Sequence, residues 1–438
     1  MMDRPAGSWV MRLIGFLILA LAASLLSIAA ASASSLKVIY SFCEAHHLCP
    51  DGGLPSSKIL ADSAGDLFGT TWLGGKYNGG TVYELIPSGN GRQWGHKTIY
   101  NFCAEDGCAD GSGPYGDLII DSAGNLYGGT TSGGTGSGVI FKVSPSGTYT
   151  ILYTLCPGGG QCNDGHQAAH LTYAGAADGS AYDGASPLYG LVSGGAADYG
   201  NAFSLKNNAD GSWGFSVLHS FCSAHRCSDG GNPSALTMDG GGDLLGVTEL
   251  GGKYRHGLVF KLAPDGNGQW NEASLYDFCP ADRCLDGAYP FSLSISADGT
   301  LHGTAVRFGP NCQATKHMKD CGALFQLNPD GAGYNLLYGF CAQTNCEDGA
   351  VPLDMEEVQP NNFFGSTAYG GQKDAGTLFE FHNGSFRSLY KFCKRESTKK
   401  NCAHGKGPGP LTAGRAGSLF GWAGDGAFGG GEVFEFLP

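Results

Sequence analysis

Positive charge is scarce in this chain. Its 26 Lys and Arg face 39 Asp and Glu, a net charge of -13 over 438 residues. An acidic surface repels phosphate backbones and anionic lipid headgroups, so nucleic acid and membrane surfaces are not expected partners. Beyond the N-terminus no apolar run is long enough to span a bilayer, and none shows a helical apolar period. Signatures of a nucleophile elbow, a His-Glu-x-x-His helix or a phosphate loop are missing. No catalytic residue, cofactor or metal is therefore assigned. Ser296-Ala297-Asp298-Gly299-Thr300 bears a faint likeness to the sialidase-type Asp box but lacks its tryptophan. The adjacent pair His46-His47 lies inside a cysteine loop and reads as a solvated loop, not a metal site.

The one long apolar run, Leu13 to Ala31, follows Arg4 and Arg12 and precedes Ala31-Ser32-Ala33. This is the pattern of a secretory signal, with cleavage expected near Ala33. The alternative is an uncleaved N-terminal anchor. Residues 1–33 are thus expected to be a signal peptide and residues 34–438 a single domain, secreted or periplasmic. The chain ends on a strand at Pro438, so no C-terminal anchor is expected.

Glycine is abundant, at 74 residues, and it recurs at fixed places within a unit that occurs seven times. The unit opens with an aromatic pair and a cysteine, as in Tyr40-Ser41-Phe42-Cys43 and Tyr276-Asp277-Phe278-Cys279. It continues with a second signature, such as Leu67-Phe68-Gly69-Thr70-Thr71 and then Gly80-Thr81-Val82-Tyr83. The opening cysteines lie 52 to 66 residues apart, a period that signals a solenoid or a propeller.

The 16 cysteines pair by position. Each unit holds one short pair: Cys43 with Cys49, Cys103 with Cys108, Cys156 with Cys162, Cys222 with Cys227, Cys279 with Cys284, Cys341 with Cys346, and Cys393 with Cys402. The fifth unit adds Cys312 with Cys321. In an exported chain this reads as eight local disulfides. Zinc is the competing reading, but it needs four converging ligands, and two cysteines per unit do not supply them.

Four alternating strand-like runs fill the first unit: Lys58 to Asp62, Asp66 to Thr71, Thr81 to Ile86 and Lys97 to Phe102. Seven such units predict an all-β, seven-bladed β-propeller with four antiparallel strands per blade. A right-handed β-helix is the alternative, and the Asp-Gly hairpin turns argue against it. The phase places the run before each cysteine outermost in the preceding blade, and the run after Asp-Gly-x-x-Pro at the central channel. The N-terminal run Leu36 to Phe42 is then a lone outer strand that closes the ring beside Leu411 to Leu437. An aromatic at one position of every third strand (Tyr83, Phe141, Phe203, Phe260, Phe325, Phe379, Phe434) predicts packing between neighbouring blades.

Leu126-Tyr127-Gly128-Gly129-Thr130-Thr131 with Gly138-Val139-Ile140-Phe141, and Leu67 to Thr71 with Gly80 to Tyr83, resemble the tandem repeat of the choice-of-anchor GloVer-containing proteins, which are exported bacterial Gly-rich repeat proteins. The resemblance covers nearly the whole mature chain. It implies export and a repeat architecture, and it carries over no catalytic residue. The cysteine pairs and the missing sorting tail depart from it.

Two sets of side chains are candidates for binding. Asp51, Asp110, Asp164, Asp229, Asp286 and Asp348 each follow a second cysteine and precede a glycine, with His404 in the seventh place. They form either a ring of carboxylates able to hold a cation or a set of Asp-Gly turns. The Gly-rich loops between second and third strands display Trp72, Lys76, Tyr77, Lys253, Tyr254, Arg255, His256, Tyr369 and Trp422. Rings beside short polar groups suit sugar faces or peptide segments. The expected role is a binding or scaffold module for extracellular carbohydrate or protein, as a monomer. The alternative is a hydrolase or lyase acting on polysaccharide. Carboxylates clustered with a basic residue at the channel would favour the enzyme, and a broad aromatic face would favour binding.

Overall fold

A computed structural model describes residues 34–438 except 45–48, 90, 92, 159–161, 178, 313–319, 394–401 and 403. The expected signal peptide and His46-His47 lie outside the described residues. No α-helix occurs among the described residues, and no helix there is long and apolar enough to cross a membrane. The strands form seven antiparallel sheets, one per blade, in a seven-bladed propeller.

In blade order, the inner strands are Gly53–Pro55 continued by Leu60–Ala61, Ser112–Ile120, His166–Tyr173, Gly231–Met238, Ala288–Ile295, Ala350–Gln359, and Lys406–Pro408 continued by Thr412–Ala413. The second strands are Leu67–Leu73, Leu126–Ser132, Leu188–Ser193, Leu244–Leu250, Leu301–Arg307, Asn362–Tyr369 and Leu419–Gly424. The third are Thr81–Pro87, Val139–Val143, Asn201–Asn207, Leu258–Pro264, Ala323–Leu327, Thr377–His382 and Glu432–Leu437. Six outer strands follow in their own blades: Trp94–Asn101, Tyr149–Thr154, Trp213–Ser220, Trp270–Asp277, Asn335–Gly339 and Ser385–Lys391. The seventh is the N-terminal strand Ser35–Ser41, which pairs antiparallel with Glu432–Leu437, Val38 opposite Phe434.

The inner strands start earlier than the sequence pattern suggests. In blade 1 the first stretch is Gly53–Pro55, ahead of the expected Lys58 to Asp62. The proline therefore lies inside the strand. Proline is tolerated there because the inner edge faces the channel and has no ladder partner for the missing N–H. The residue before it is left-handed in the six blades that carry the proline, at Leu54, Gly113, Asn232, Tyr289, Val351 and Gly407; in blade 3 Gln167 is left-handed before Ala168. This conformation permits an inter-blade hydrogen bond. Leu54 N–H donates to Gly430 O of blade 7 at 2.7 Å, and Asn232 N–H donates to Tyr199 O of blade 3 at 2.7 Å.

The repeated glycines have specific partners. A Cβ on Gly246, in the second strand, would overlap the Phe260 ring of the third strand. A Cβ on Gly257, which has φ +90°, would overlap the Pro290 ring of the next blade. Glycine thus makes room for an aromatic within the blade and for a proline between blades.

The third-strand aromatics are all fully buried. Each of six meets the Phe that immediately follows the preceding outer strand: Phe102 and Phe141 centroids are 5.1 Å apart, and Phe278 and Phe325 are also 5.1 Å apart, both edge-on. In blade 3 Leu155 takes the place of that Phe. A further ring stacks outside the pair, such as Tyr149 on Tyr100 at 4.1 Å and Phe386 on Tyr338 at 3.8 Å.

The interface between blades 3 and 4 breaks this pattern. His219 stands where other units carry Tyr, and Glu272 stands where they carry His96, Tyr149, Phe215, Tyr334 or Phe386. His219 Nε2 lies 3.4 Å from Asp229 Oδ2. Asp229 Oδ1 and Glu272 Oε1 are buried without a hydrogen-bond partner among the described residues. Burial, then the nearby Asp229 and Asp277, push the Glu272 carboxyl up to about 7.

Two outcomes follow for stability. Phe260→Ala should cost about 3–5 kcal/mol in urea unfolding, as for other fully buried rings; a loss below about 1 kcal/mol would contradict the packing. Glu272 has a raised folded-state pKa, so its contribution is fully present below its ordinary value of 4.5 and is lost as pH rises through about 7. Glu272→Gln should therefore raise the melting temperature at pH about 8 and leave it nearly unchanged at pH about 4.5. An equal effect at both values would show that the carboxyl is not the titrating group.

Candidate ligand site at the channel mouth

Each inner strand starts on the face that carries the cysteine loops, and each second strand ends there. On this face a cavity of about 720 Å³ opens into the channel against blades 7, 1, 2 and 3. Trp72, Tyr115 and Trp422 stand around it, with Lys58, Asp117 and His170 among its polar lining. Trp72 and Tyr115 are 44% and 45% exposed. Trp422 is half-buried, and its Nε1–H donates to Ser57 O at 2.9 Å.

Lys58 bridges the channel. Its Nζ donates to Asp354 Oδ2 at 3.2 Å and to Glu356 Oε2 at 2.8 Å, both on the inner strand of blade 6. The Lys58 N–H donates to Asp117 Oδ1 of blade 2 at 3.1 Å. Burial works against the ammonium, but Asp354 and Glu356 outweigh it and hold the Lys58 pKa above its ordinary value. On blade 3, His170 sits at a β-bulge in the left-handed region, φ 51°. Blade 2 also has a left-handed residue at its inner-strand bulge, but there it is Gly116. Burial lowers the His170 pKa, partly offset by Asp117 and Asp354, so the imidazole is neutral at neutral pH.

The structure brings Trp72 and Trp422 to this mouth and leaves the other loop residues apart. Lys76 lies over the Tyr77 ring on blade 1, and Lys253 over the Tyr254 ring on blade 4, three blades away. Arg255 is an exposed left-handed turn residue. Tyr369, 51% exposed, ends the second strand of blade 6. His256 packs against Tyr289 and Phe308. It also lies beside Cys279 and Cys284, whose sulfurs are joined to each other and cannot ligate a metal.

All eight expected disulfides are formed, each within its own loop. Cys43 is joined to Cys49, Cys103 to Cys108, Cys156 to Cys162 and Cys222 to Cys227. Cys279 is joined to Cys284, Cys312 to Cys321, Cys341 to Cys346 and Cys393 to Cys402. No free cysteine remains among the described residues.

The six Asp residues lie one to a blade connection, each engaged locally. Asp51, Asp110, Asp164, Asp286 and Asp348 accept the hydroxyl of Tyr40, Tyr100, Tyr153, Tyr276 and Tyr338 at 2.7 to 3.0 Å. Asp229 accepts from the Ser223 N–H and hydroxyl. The Asp110 and Asp348 carboxylates also accept amides of their cysteine loops, at Ala104 and Glu105 and at Ala342 and Gln343. Tyr390 meets His404 in the seventh place. These contacts tie outer strands to cysteine loops and account for the repetition of Asp.

Lys58, Asp117, His170, Asp354 and Glu356 escaped sequence reasoning. The available signal was departure from the repeat: charged residues on inner strands, such as Asp354, whose counterparts in blades 4 and 5 are Ala235 and Ser292.

A family model described as the Gloeobacter/Verrucomicrobia repeat matches residues 25–186 and 170–355. No curated protein matches the chain. Among solved structures the chain is similar to the extracellular domain of a protein described as a hybrid two-component system from B. thetaiotaomicron, with 10% identity and a TM-score of 0.54. That match covers 91% of this chain but only 39% of the other. YCF48 from Cyanidioschyzon merolae is also similar, with 10% identity, a TM-score of 0.53 and coverage of 92% and 99%. At such identities the likeness is one of fold.

Lys58→Met would leave Asp354 and Glu356 facing each other without their cation. The expected loss is about 1–3 kcal/mol near neutral pH, since charged hydrogen bonds are removed from a half-buried site. The loss should shrink in an Asp354→Asn, Glu356→Gln background, where the facing carboxylates are gone. An equal loss in both backgrounds in thermal melts would mean that the lysine acts through packing alone.

Proposed function

The chain belongs to the Gloeobacter/Verrucomicrobia repeat family, and from that footing we propose that it is an exported binding module taking an extracellular carbohydrate at the channel mouth. One observation carries the reading: the 720 Å³ cavity in which three aromatic rings surround Lys58, Asp117 and His170. Its size falls in the range of small-ligand sites, roughly 300–1,000 Å³. Indole and phenol rings offer flat apolar faces to the C–H side of a sugar. Carboxylate and imidazole acceptors suit its hydroxyls. Eight disulfides and the expected leader fit an oxidising compartment.

The polysaccharide hydrolase or lyase remains the second reading, favoured by carboxylates gathered around a lysine and a histidine. The contacts favour binding instead. Asp354 and Glu356 are both engaged by Lys58, and Asp117 accepts the Lys58 amide, so each of these three carboxylates is held as an acceptor.

The test is a glycan array with residues 34–438, followed by calorimetry on the hits. Trp72→Ala with Tyr115→Ala should weaken binding at least about tenfold, in line with one to three kcal/mol of aromatic contact, with the melting temperature nearly unchanged. Tyr77→Ala with Tyr254→Ala is the competing pair. If it abolishes binding while the first pair does not, the site is on the Gly-rich loops and the channel assignment is wrong. Turnover of a hit would establish the enzyme reading.

A further inference from the structure

The geometry points to a pocket that selects saccharides by charge, taking amine-bearing sugar units in preference to acidic ones. The inference rests on the carbohydrate reading above and specifies its ligand.

The channel holds three carboxylates, Asp117, Asp354 and Glu356, against one ammonium, Lys58. Two negative charges are left over beneath a mouth walled by Trp72, Tyr115 and Trp422. Low-dielectric walls strengthen such a field. Lys58 gives its ammonium to Asp354 and Glu356, so it offers little to the carboxylate of a uronate. Arg307 does not make up the deficit: it lies on blade 5, near Asp320 and over the Tyr289 ring.

His170 supplies the acceptor. It occupies a backbone conformation that glycine adopts more readily, and such outliers cluster at functional sites. Its ring lines the cavity. Asp117 and Asp354 are the charged groups acting on it, with Lys58 and Glu356 joined to the same cluster. A neutral imidazole there accepts a hydrogen bond from an ammonium or hydroxyl group. Once protonated it would repel an ammonium and reduce the excess negative charge. Burial lowers its pKa, so the preference for amines should persist to below the ordinary imidazole value of 6.5 and weaken only at lower pH.

The experiment compares oligomers of glucosamine, N-acetylglucosamine and galacturonate of equal length, by calorimetry on residues 34–438. The amine oligomer should bind at least about tenfold tighter than the acetylated one, with the uronate weakest, for two uncompensated charges in a partly buried site. Asp117→Asn keeps an acceptor for the Lys58 amide and should remove most of that preference without lowering the melting temperature. Asp330→Asn, on an exposed hairpin of blade 5, should leave it intact, which separates the pocket from the overall charge of -13. Equal or tighter binding of the uronate, or a preference unchanged in Asp117→Asn, would overturn charge selection while the carbohydrate reading stands. No binding of any oligosaccharide, here or on the array, would overturn both.

Discussion

The ring depends on a single seam repeated between every blade and the next. A left-handed inner-strand residue donates its N–H to the preceding blade, and at six of the seven seams the proline that follows it lies against a glycine with positive φ, Ala168 taking that place in blade 3. Buried rings fill the space behind. Each blade alone would leave one apolar face and one row of backbone groups uncovered. The seam satisfies both at once, but only if the last blade meets the first. Leu54 N–H donating to Gly430 O, with the Pro55 ring against Gly431, is that closing copy, made between units far apart in sequence. The N-terminal strand Ser35–Ser41 adds backbone pairing to the same blade. Closure therefore rests on two kinds of contact made at both ends of the chain.

Because the seam uses glycine, proline and aromatic residues, it leaves inner-strand side chains outside its requirements. A second strand needs its glycine below the ring. The channel-facing residue a few places on from the proline has no such role. Lys58, Asp117 and Glu356 occupy positions the repeat does not dictate, whereas the Asp of each cysteine loop is repeated because nearly every copy anchors an outer strand by the same tyrosine bond. Repetition marks structure in this molecule, and departure from it marks the candidate site.

That distinction explains what could be read from the sequence. The cysteine partners were legible because each pair lies within one short loop. The third-strand aromatics and the closing strand were legible because a period fixes phase. The inner-strand start was misplaced because proline normally bounds a strand; the free channel edge removes that objection. The meeting of Lys58 with Asp354 and Glu356 joins residues 296 and 298 positions apart and depends on how the ring closes. No local pattern announces it. Tyr77 and Tyr254 close matching Gly-Gly-Lys-Tyr runs, but their loops lie three blades apart and cannot share a small ligand.

The interface between blades 3 and 4 shows how far a repeat can bend before the seam fails. Phe221 still meets Phe260, at 4.9 Å, so the buried ring pair is kept. What changes is the outer layer, where a stacked ring and a tyrosine give way to Glu272 and His219. Replacing either one alone would set a carboxylate against a phenol or a histidine against a ring. Changed together, they put an acid and a base beside Asp229, and the burial of Glu272 is eased by holding its proton. The seam thus tolerates polar groups in its outer layer provided the inner pair survives. The channel obeys the same rule with the sides reversed: charges gather where no seam residue is displaced, and blades 1, 2, 3 and 6 make an asymmetric site from symmetric parts.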